Sequence, residues 1–388
     1  MRFVFYTKSI SPHQLPLAYA LAAKLGDGEF CYVCAESLSN ERKMLGWLEV
    51  DEEWIVDEGK ECDKARNILA NADVLISGLR DFSLFEARAA CGRKTIYCSE
   101  RWFKPKLGTL RLLSPSYFKM AYRFVQLLRR HEWIYYFPMG IHAARDMARL
   151  CGLFAGDLQC LCRAPKLSFE KEPGGGIFLA EENVCKNEKF VRRYCLDKMR
   201  MWGYYVAPSR NDALPVQEAS DTPSVCRVLW VGRLLNWKRV DTIVRAVSAH
   251  ANLKRVDNSL QKITLDVYGT GPEEKRLKKL AKGYEDIIKF HPPVPIAEVR
   301  QLMRTHDVYV LASNAYEGWG AVVSEALEEG MKVIGTYEAG GPATMLMAQN
   351  LFHAGDWHAL LRLLSNSIPA VGIGPWTAKF AADYLGAL

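Results

Sequence analysis

Short runs of consecutive apolar residues alternate with segments whose apolar residues recur at helical spacing, first up to about position 150 and again beyond about position 225. Arg2–Tyr6, Cys31–Cys34, Trp54–Val56, Val74–Ser77, Thr95–Cys98 and Trp133–Phe137 have strand length. Pro12–Lys24, Lys64–Ala70, Phe82–Ala90 and Ala143–Leu150 read as the helices that go with them. Strands alternating with helices imply βαβ units and a parallel sheet. The pattern then restarts with strands at Val228–Val231, Ile263–Tyr268, Ile287–Phe290, Val308–Ala312 and Lys332–Gly335. Helices are expected over Val240–Ala249, Glu273–Ala281, Ile296–Arg304 and Ala321–Glu329. The reading is α/β, with two Rossmann-like domains at 1–207 and 225–374 and a last helix over 375–388. Residues 157–200 read as an insertion, broken at Pro173–Gly176 and helical in its last part. Pro208–Ser224 has the polar, proline-bearing composition of a linker.

Composition changes this picture little. With 388 residues, 49% hydrophobic and 24% charged, the chain is an ordinary soluble one, neither disordered nor collagen-like nor a disulfide miniprotein. No apolar run reaches the roughly 18–20 residues of a spanning helix. The N-terminal apolar run Phe3–Tyr6 is too short for a secretory leader, so a cytoplasmic protein is expected. The eleven cysteines are odd in number and mostly lie in apolar stretches, which points to free buried thiols. Cys31 and Cys34 have CxxC spacing without a second pair, and Cys160 and Cys162 read as core, so no metal site is expected.

Charge matters more. The net charge of +7 comes entirely from residues 1–210, which hold 32 Lys and Arg against 25 Asp and Glu; the remainder balances at 19 each. Arg101–Arg130 contains eight basic and no acidic residues, interleaved with Trp102, Phe103, Tyr117, Phe118, Tyr122 and Phe124. Such a block suits an anionic membrane or ligand, or equally a solvated helix face. Phe118, Tyr122, Val125 and Leu128 recur at helical spacing beside Lys119, Arg123, Arg129 and Arg130, with Arg101 and Lys104 just upstream. The expectation is a membrane or acceptor surface with peripheral docking, against the commoner fate of such a stripe, which is to face the core.

Doubly wound sheets bind ligands beyond the carboxyl ends of their strands, and four motifs lie there. In Gly232-Arg233-Leu234-Leu235-Asn236-Trp237-Lys238-Arg239 a glycine admits close approach, and Arg233 and Lys238 place two cations by a helix start, as a diphosphate requires. Gly269-Thr270-Gly271-Pro272 is a second strand-to-helix turn. Glu317-Gly318-Trp319-Gly320-Ala321-Val322 leads to Glu325, placing one carboxylate in a loop and one within the following helix. Glu325 can accept two ribose hydroxyls, and Glu317 can reach a sugar. Gly340-Gly341-Pro342 opens another helix and reads as a second set of phosphate-facing amides. An acidic helix start or a pair of surface cations would explain single motifs but not the glycines.

In this order and spacing the motifs resemble the C-terminal domain of retaining glycosyltransferase family 4, over roughly residues 225–345. That resemblance implies the GT-B fold: two Rossmann-like domains facing across a cleft, with the C-terminal helix crossing back to the first. It implies that Arg233 and Lys238 hold the donor diphosphate, Glu325 the ribose, and that Glu317 lies by the donor sugar, with Gly232, Gly269, Gly271, Gly318, Trp319, Gly320, Ala321, Val322, Gly340 and Gly341 around them. Arg239 departs from the family's glycine. Thr7-Lys8-Ser9-Ile10-Ser11-Pro12-His13 lacks the glycine pair that many members carry, and Cys98-Ser99-Glu100-Arg101 stands where many have a histidine. Ser-Glu-Arg followed by an aromatic and a lysine is similar to bacterial polysaccharide-assembly members.

The expected activity is retaining transfer of a hexose from a nucleotide sugar, UDP before GDP, to a saccharide or lipid-linked acceptor. No cofactor or metal is expected, since the cations meet the leaving charge and no Asp-x-Asp motif is apparent. Glu317, Glu100 and His13 are the candidate catalytic residues. A nucleotide-sugar-binding protein without activity is the alternative. A dehydrogenase is disfavoured because no GxGxxG follows the first strand, and a nucleic-acid binder because no reader motif accompanies the modest charge.

Overall fold

The computed structural model describes residues 1–26, 28–39, 50–156, 166–171, 177–182, 198–207, 225–366 and 377–386. Near-continuous apolar runs form strands β1 (Phe3–Thr7), β2 (Phe30–Cys34), β3 (Ile55–Asp57), β4 (Val74–Ser77), β5 (Lys94–Ser99) and β6 (Ile134–Pro138). They pair in parallel in the order β3-β2-β1-β4-β5-β6. β1, β2 and β4 are buried throughout, which is why they show no polar alternation. Helices Leu15–Leu25, Cys62–Asn71, Phe82–Ala90, Pro115–Arg130 and Ile141–Phe154 accompany the sheet. Asp81 starts the third by accepting the Leu84 N–H at 3.0 Å.

Beyond this sheet, β7 (Lys166–Lys171) and β8 (Ile177–Glu182) pair antiparallel. This hairpin lies in the stretch read as an insertion. The helix expected at the end of that stretch, the Pro173–Gly176 break, Cys160, Cys162 and the Pro208–Ser224 linker fall outside the described residues.

The second sheet repeats the winding. Its strands β9 (Val225–Val231), β10 (Lys262–Tyr268), β11 (Ile288–His291), β12 (Val308–Leu311), β13 (Lys332–Thr336) and β14 (Leu351–Phe352) run β11-β10-β9-β12-β13-β14. Val228, Trp230, Val267, Val310 and Ile334 pack with Ile243 and Val247 of the helix Val240–Val256 in one core. In both sheets the chain reverses its direction of travel beside the first strand of the unit, between β1 and β4 and between β9 and β12. These are the switch points where such sheets open a crevice.

The chain divides into two units, Met1–Ala207 with Thr377–Leu388, and Pro208–Trp376. The helix Ala378–Gly386 thus belongs to the first unit. Ala378 N–H donates to Val206 O at 2.9 Å, and Lys24 Nζ donates to Asp383 Oδ1 at 2.7 Å.

The structure corrects two expectations here. In the basic block Trp102, Phe103, Tyr117, Phe124, Val125 and Leu128 are buried, and Trp102 stacks on Phe124 at 5.6 Å. Only Phe118 and Tyr122 of the expected stripe are exposed, and Arg123 is engaged by Glu86 at 2.8 Å. The rings of Phe118 and Tyr122 each pack edge-on against Phe154 at 5.3 Å. Second, Cys151 is disulfide-bonded, whereas Cys31, Cys34, Cys62, Cys91, Cys98 and Cys226 are free. Disulfide formation is decided by proximity in space, which sequence spacing does not show.

Candidate functional site

The loops after β9 and β10 are locked together by their glycines. Gly232 N–H donates to Tyr268 O at 3.0 Å and Leu234 N–H to Thr270 O at 2.9 Å. Gly269, at φ +144°, lies so close that a Cβ would overlap the Gly232 carbonyl oxygen. Gly271 passes Leu234 O, where a Cβ would sit 2.5 Å away. These two glycines serve loop-to-loop packing, whereas Gly232 itself, at φ +152°, meets only the Trp230 ring.

From that base the chain runs through a 3₁₀ turn, Asn236–Lys238, into the helix Val240–Val256. Lys238 Nζ donates to Glu317 Oε2 at 2.5 Å and lies 4.5 Å from the centre of the Trp237 ring. Ser313 Oγ donates to the same carboxylate oxygen at 2.9 Å. The lysine follows β9 and the glutamate follows β12, so the pair spans the switch point. Both side chains are mostly buried, at 18% and 11% exposure. Asn314 N–H donates to Trp237 O at 2.9 Å and ties the two loops.

Arg233 is exposed and makes no side-chain hydrogen bond or ion pair with the described residues. Arg239 explains why its position favours glycine in the resembled family: its φ is +52°, in the left-handed region, at a cost of about 1–2 kcal/mol for other residues. Its charge is not spare. Nε and Nη2 donate to the Asp241 carboxylate at 3.1 and 3.3 Å.

The Glu317–Val322 segment is shaped from below. Gly320 caps the helix Ala321–Glu328 at φ +85°. Trp319 is fully buried and its indole N–H donates to Ser324 Oγ at 3.3 Å, so its side chain props the loop instead of facing a ligand. Gly340 and Gly341 also differ from expectation. Their N–H groups donate to Glu317 O at 3.3 Å and Trp319 O at 2.8 Å, and a Cβ on Gly340 would overlap the Gly318 carbonyl oxygen. They are buried supports for the Glu317 loop, not phosphate-facing amides. Glu325 is partly buried, about one turn into its helix. Burial pushes its carboxyl up to about 7, against the pull of Arg300 and with the help of Glu329. Ser313 and Arg300 were not foreseen: a serine after a strand carries no motif, and Arg300 lies on a different helix, Ile296–Arg304.

In the first unit, a cavity of about 360 Å³ opens at the carboxyl ends of β1, β4 and β5. Glu100, Arg101 and Lys104 line it, and so do Lys8 and Arg80, which the sequence reading passed over. Glu100 lies 3.9 Å from Lys104, and Arg80 Nε donates to Tyr97 OH at 2.9 Å. His13 lines a smaller neighbouring hollow with Thr7, Gln14 and Trp202; its ring packs on Tyr204, and burial lowers its pKa. Lys119, Arg123, Arg129 and Arg130 all lie on the helix Pro115–Arg130 and none lines this cavity.

Residues 222–366 match the family of glycosyl transferases group 1. A 111-residue stretch is 32% identical to the UDP-N-acetylglucosamine–peptide N-acetylglucosaminyltransferase GtfA subunit of Streptococcus gordonii, covering 28% of this chain and 20% of that relative's length. The whole chain is similar in fold to the lipopolysaccharide outer core galactosyltransferase WaaB, at TM-score 0.57 and 13% identity over 100% of both chains. It is also similar to Anabaena HepE, solved with UDP, at TM-score 0.56 and 15% identity over 100% of this chain and 94% of the other.

Proposed function

We propose that this chain, whose residues 222–366 match the group 1 glycosyl transferases and whose two-sheet fold is similar to GT-B enzymes, moves a hexose from a UDP-sugar to a saccharide or lipid-linked acceptor with retention at the anomeric carbon. The observation that carries the reading is the Lys238–Glu317 pair held across the β9/β12 switch point, with Arg233 exposed on the same loop after β9. Glycosyl transfer builds negative charge on the departing diphosphate and positive charge on the sugar. Lys238 and Arg233 would meet the first and Glu317 the second, an electrostatic arrangement fixed before the reaction. Bound diphosphate would compete with Glu317 for the lysine, freeing the carboxylate to face the sugar. Glu325 would accept the ribose hydroxyls. The named activity of the Streptococcus gordonii relative favours UDP over GDP as the carrier. No cofactor or metal enters this reading.

On the acceptor side, Glu100 and His13 remain the groups proposed to orient or deprotonate the acceptor hydroxyl. The first unit is also proposed to rest on an anionic cytoplasmic membrane face. The exposed apolar groups that would insert are Leu107, Leu110 and Leu113.

The test is UDP titration by calorimetry with Arg233→Ala and Lys238→Ala. A charge-assisted contact contributes about 1.5–3 kcal/mol, so each variant should bind UDP about 10- to 100-fold more weakly. Unchanged affinity in both would end the donor-site assignment. UDP release from a UDP-hexose in the presence of acceptor separates a transferase from a protein that only binds the nucleotide sugar.

A further inference from the structure

The first unit holds a concentration of positive charge that neither the sheet nor the proposed donor site uses. Asp146, on the helix Ile141–Phe154, is fully buried. Its Oδ2 accepts the Phe103 N–H at 2.9 Å, which fastens the chain after β5 to this helix. Two arginines reach this carboxylate, and a third, Arg145, stands close enough to both for their charges to act on it. Arg101 Nε lies 3.5 Å from Oδ2 and Arg149 Nη1 lies 3.7 Å from Oδ1. Arg145 precedes Arg149 by one helical turn and forms no hydrogen bond or ion pair with the described residues. The side chains of Arg101 and Arg149 are only 18% and 20% exposed. Nε of Arg101, Arg145 and Arg149, and Oδ1 of Asp146, are buried without a hydrogen-bond partner.

Three guanidiniums against one carboxylate leave two positive charges in excess in a half-buried place. Arginine does not discharge by losing its proton, so the fold carries the excess at a cost. Burial, then Arg149 and Arg101, all act to lower the Arg145 pKa. A purely structural role would need one arginine on Asp146, since the backbone tie to Phe103 uses the carboxylate alone. Planar forks with unused donors match the oxygens of a phosphate. Arg101 belongs to this group and also lines the 360 Å³ cavity, together with Lys8, Arg80 and Lys104.

We propose that Arg101, Arg145 and Arg149 form an anion site that takes a phosphate group carried by the acceptor, beside the cavity after β1, β4 and β5. The site rests on the reading of this unit as the acceptor side. It narrows the acceptor class to phosphorylated molecules, either a phosphosugar or a lipid bearing phosphate in its headgroup. The two sources present the same dianionic oxygens and differ in what those oxygens are attached to.

The experiment follows thermal unfolding of the full chain with inorganic phosphate or hexose 6-phosphate, against sodium chloride of equal ionic strength, with saturating UDP occupying the donor site. Wild type should gain several degrees with either phosphate, and Arg145→Gln and Arg149→Gln should lose most of that gain. Without phosphate, Arg145→Gln should unfold no lower than wild type, because an unmatched charge has gone; a structural arginine would lower it. If the glutamine variants do not fold, Arg145→Lys keeps the charge without the fork and should bind hexose 6-phosphate at least fivefold more weakly than wild type. Sedimentation with phosphatidic acid vesicles that is lost in Arg145→Gln, without a response to hexose 6-phosphate, assigns the phosphate to a lipid. Equal phosphate response in wild type and variants, or no response to any phosphate source, overturns the site. UDP affinity measured alongside fails only if the donor reading fails, so the two are separable.

Discussion

Gly269 and Gly340 have room for a hydrogen and nothing more. A Cβ on either would overlap a carbonyl oxygen of the facing loop, and at Gly269 the φ of +144° adds strain. Gly269→Ala and Gly340→Ala should each destabilise the second unit by about 2–4 kcal/mol, read as a fall in urea midpoint. Gly232→Ala should cost less stability, since its nearest neighbour is a ring edge at 3.4 Å. Glu325 makes a second prediction at this scale. Its carboxyl is raised from 4.5 to about 7 in the fold. Between those values the folded chain holds more protons than the unfolded one, so this residue lowers stability as pH rises through the interval, and Glu325→Gln should flatten that slope. Ribose hydroxyls donate best to the ionised carboxylate. UDP affinity should therefore rise from pH 6 to 8 more steeply in wild type than in Glu325→Gln, as measured by calorimetry.

Arg88 works at the scale of elements. It is 2% exposed and has no carboxylate partner among the described residues. Its Nη1 donates to Leu69 O at 2.6 Å, its Nη2 to Ala72 O and Lys94 O at 2.9 Å each, and its Nε to Thr95 Oγ1 at 3.0 Å. One side chain thus joins the C-terminal end of the helix Cys62–Asn71, its own helix and β5. The negative end of the helix dipole offsets part of the buried charge, while burial still lowers its pKa to about 10. Arg88→Ala leaves buried carbonyls unmatched and should cost about 3–5 kcal/mol in chemical denaturation. In the sequence Arg88 is one more polar residue on an amphipathic helix. Elements with a strong period were legible: β4, the helix Phe82–Ala90 and the helix Ile296–Arg304 stand where the pattern puts them. The two-residue β14 was not, because so short a stretch has no period to read.

At the scale of the whole molecule, the proposed membrane contact turns on an exposed apolar row in the first unit. The 3₁₀ helix Gly108–Leu113 has three residues per turn, so Leu107, Leu110 and Leu113 eclipse into a single row, 57%, 61% and 80% exposed. Lys104, Lys106 and Lys119 are exposed nearby in sequence. An apolar row with adjacent cations matches an anionic bilayer. At about 1 kcal/mol per leucine partly withdrawn from water, Leu107→Ser, Leu110→Ser and Leu113→Ser combined should reduce sedimentation with phosphatidylglycerol vesicles about 100-fold in partition coefficient. Folding and UDP affinity should be unchanged. Equal sedimentation of the variant and wild type would remove the row from the membrane contact. Among the described residues no helix is long and apolar enough to cross a membrane.

Hydrophobic period and glycine punctuation, both local, were enough to specify two parallel doubly wound sheets and to put Arg233, Lys238, Glu317 and Glu325 after strands or early in helices. Those properties survive in one dimension because they are set by neighbours within a few residues. What the motifs could not tell was which glycines face a ligand and which face another loop. Gly340 and Gly341 turned inward because Glu317 O and Trp319 O needed donors, a relation across more than twenty residues. The same holds for the partners of charge. Lys238 and Glu317 are 79 positions apart, and Arg101 and Asp146 are 45 apart. Whether a cation is spent on a carboxylate or left over for a phosphate depends on distances in space that only the folded chain sets.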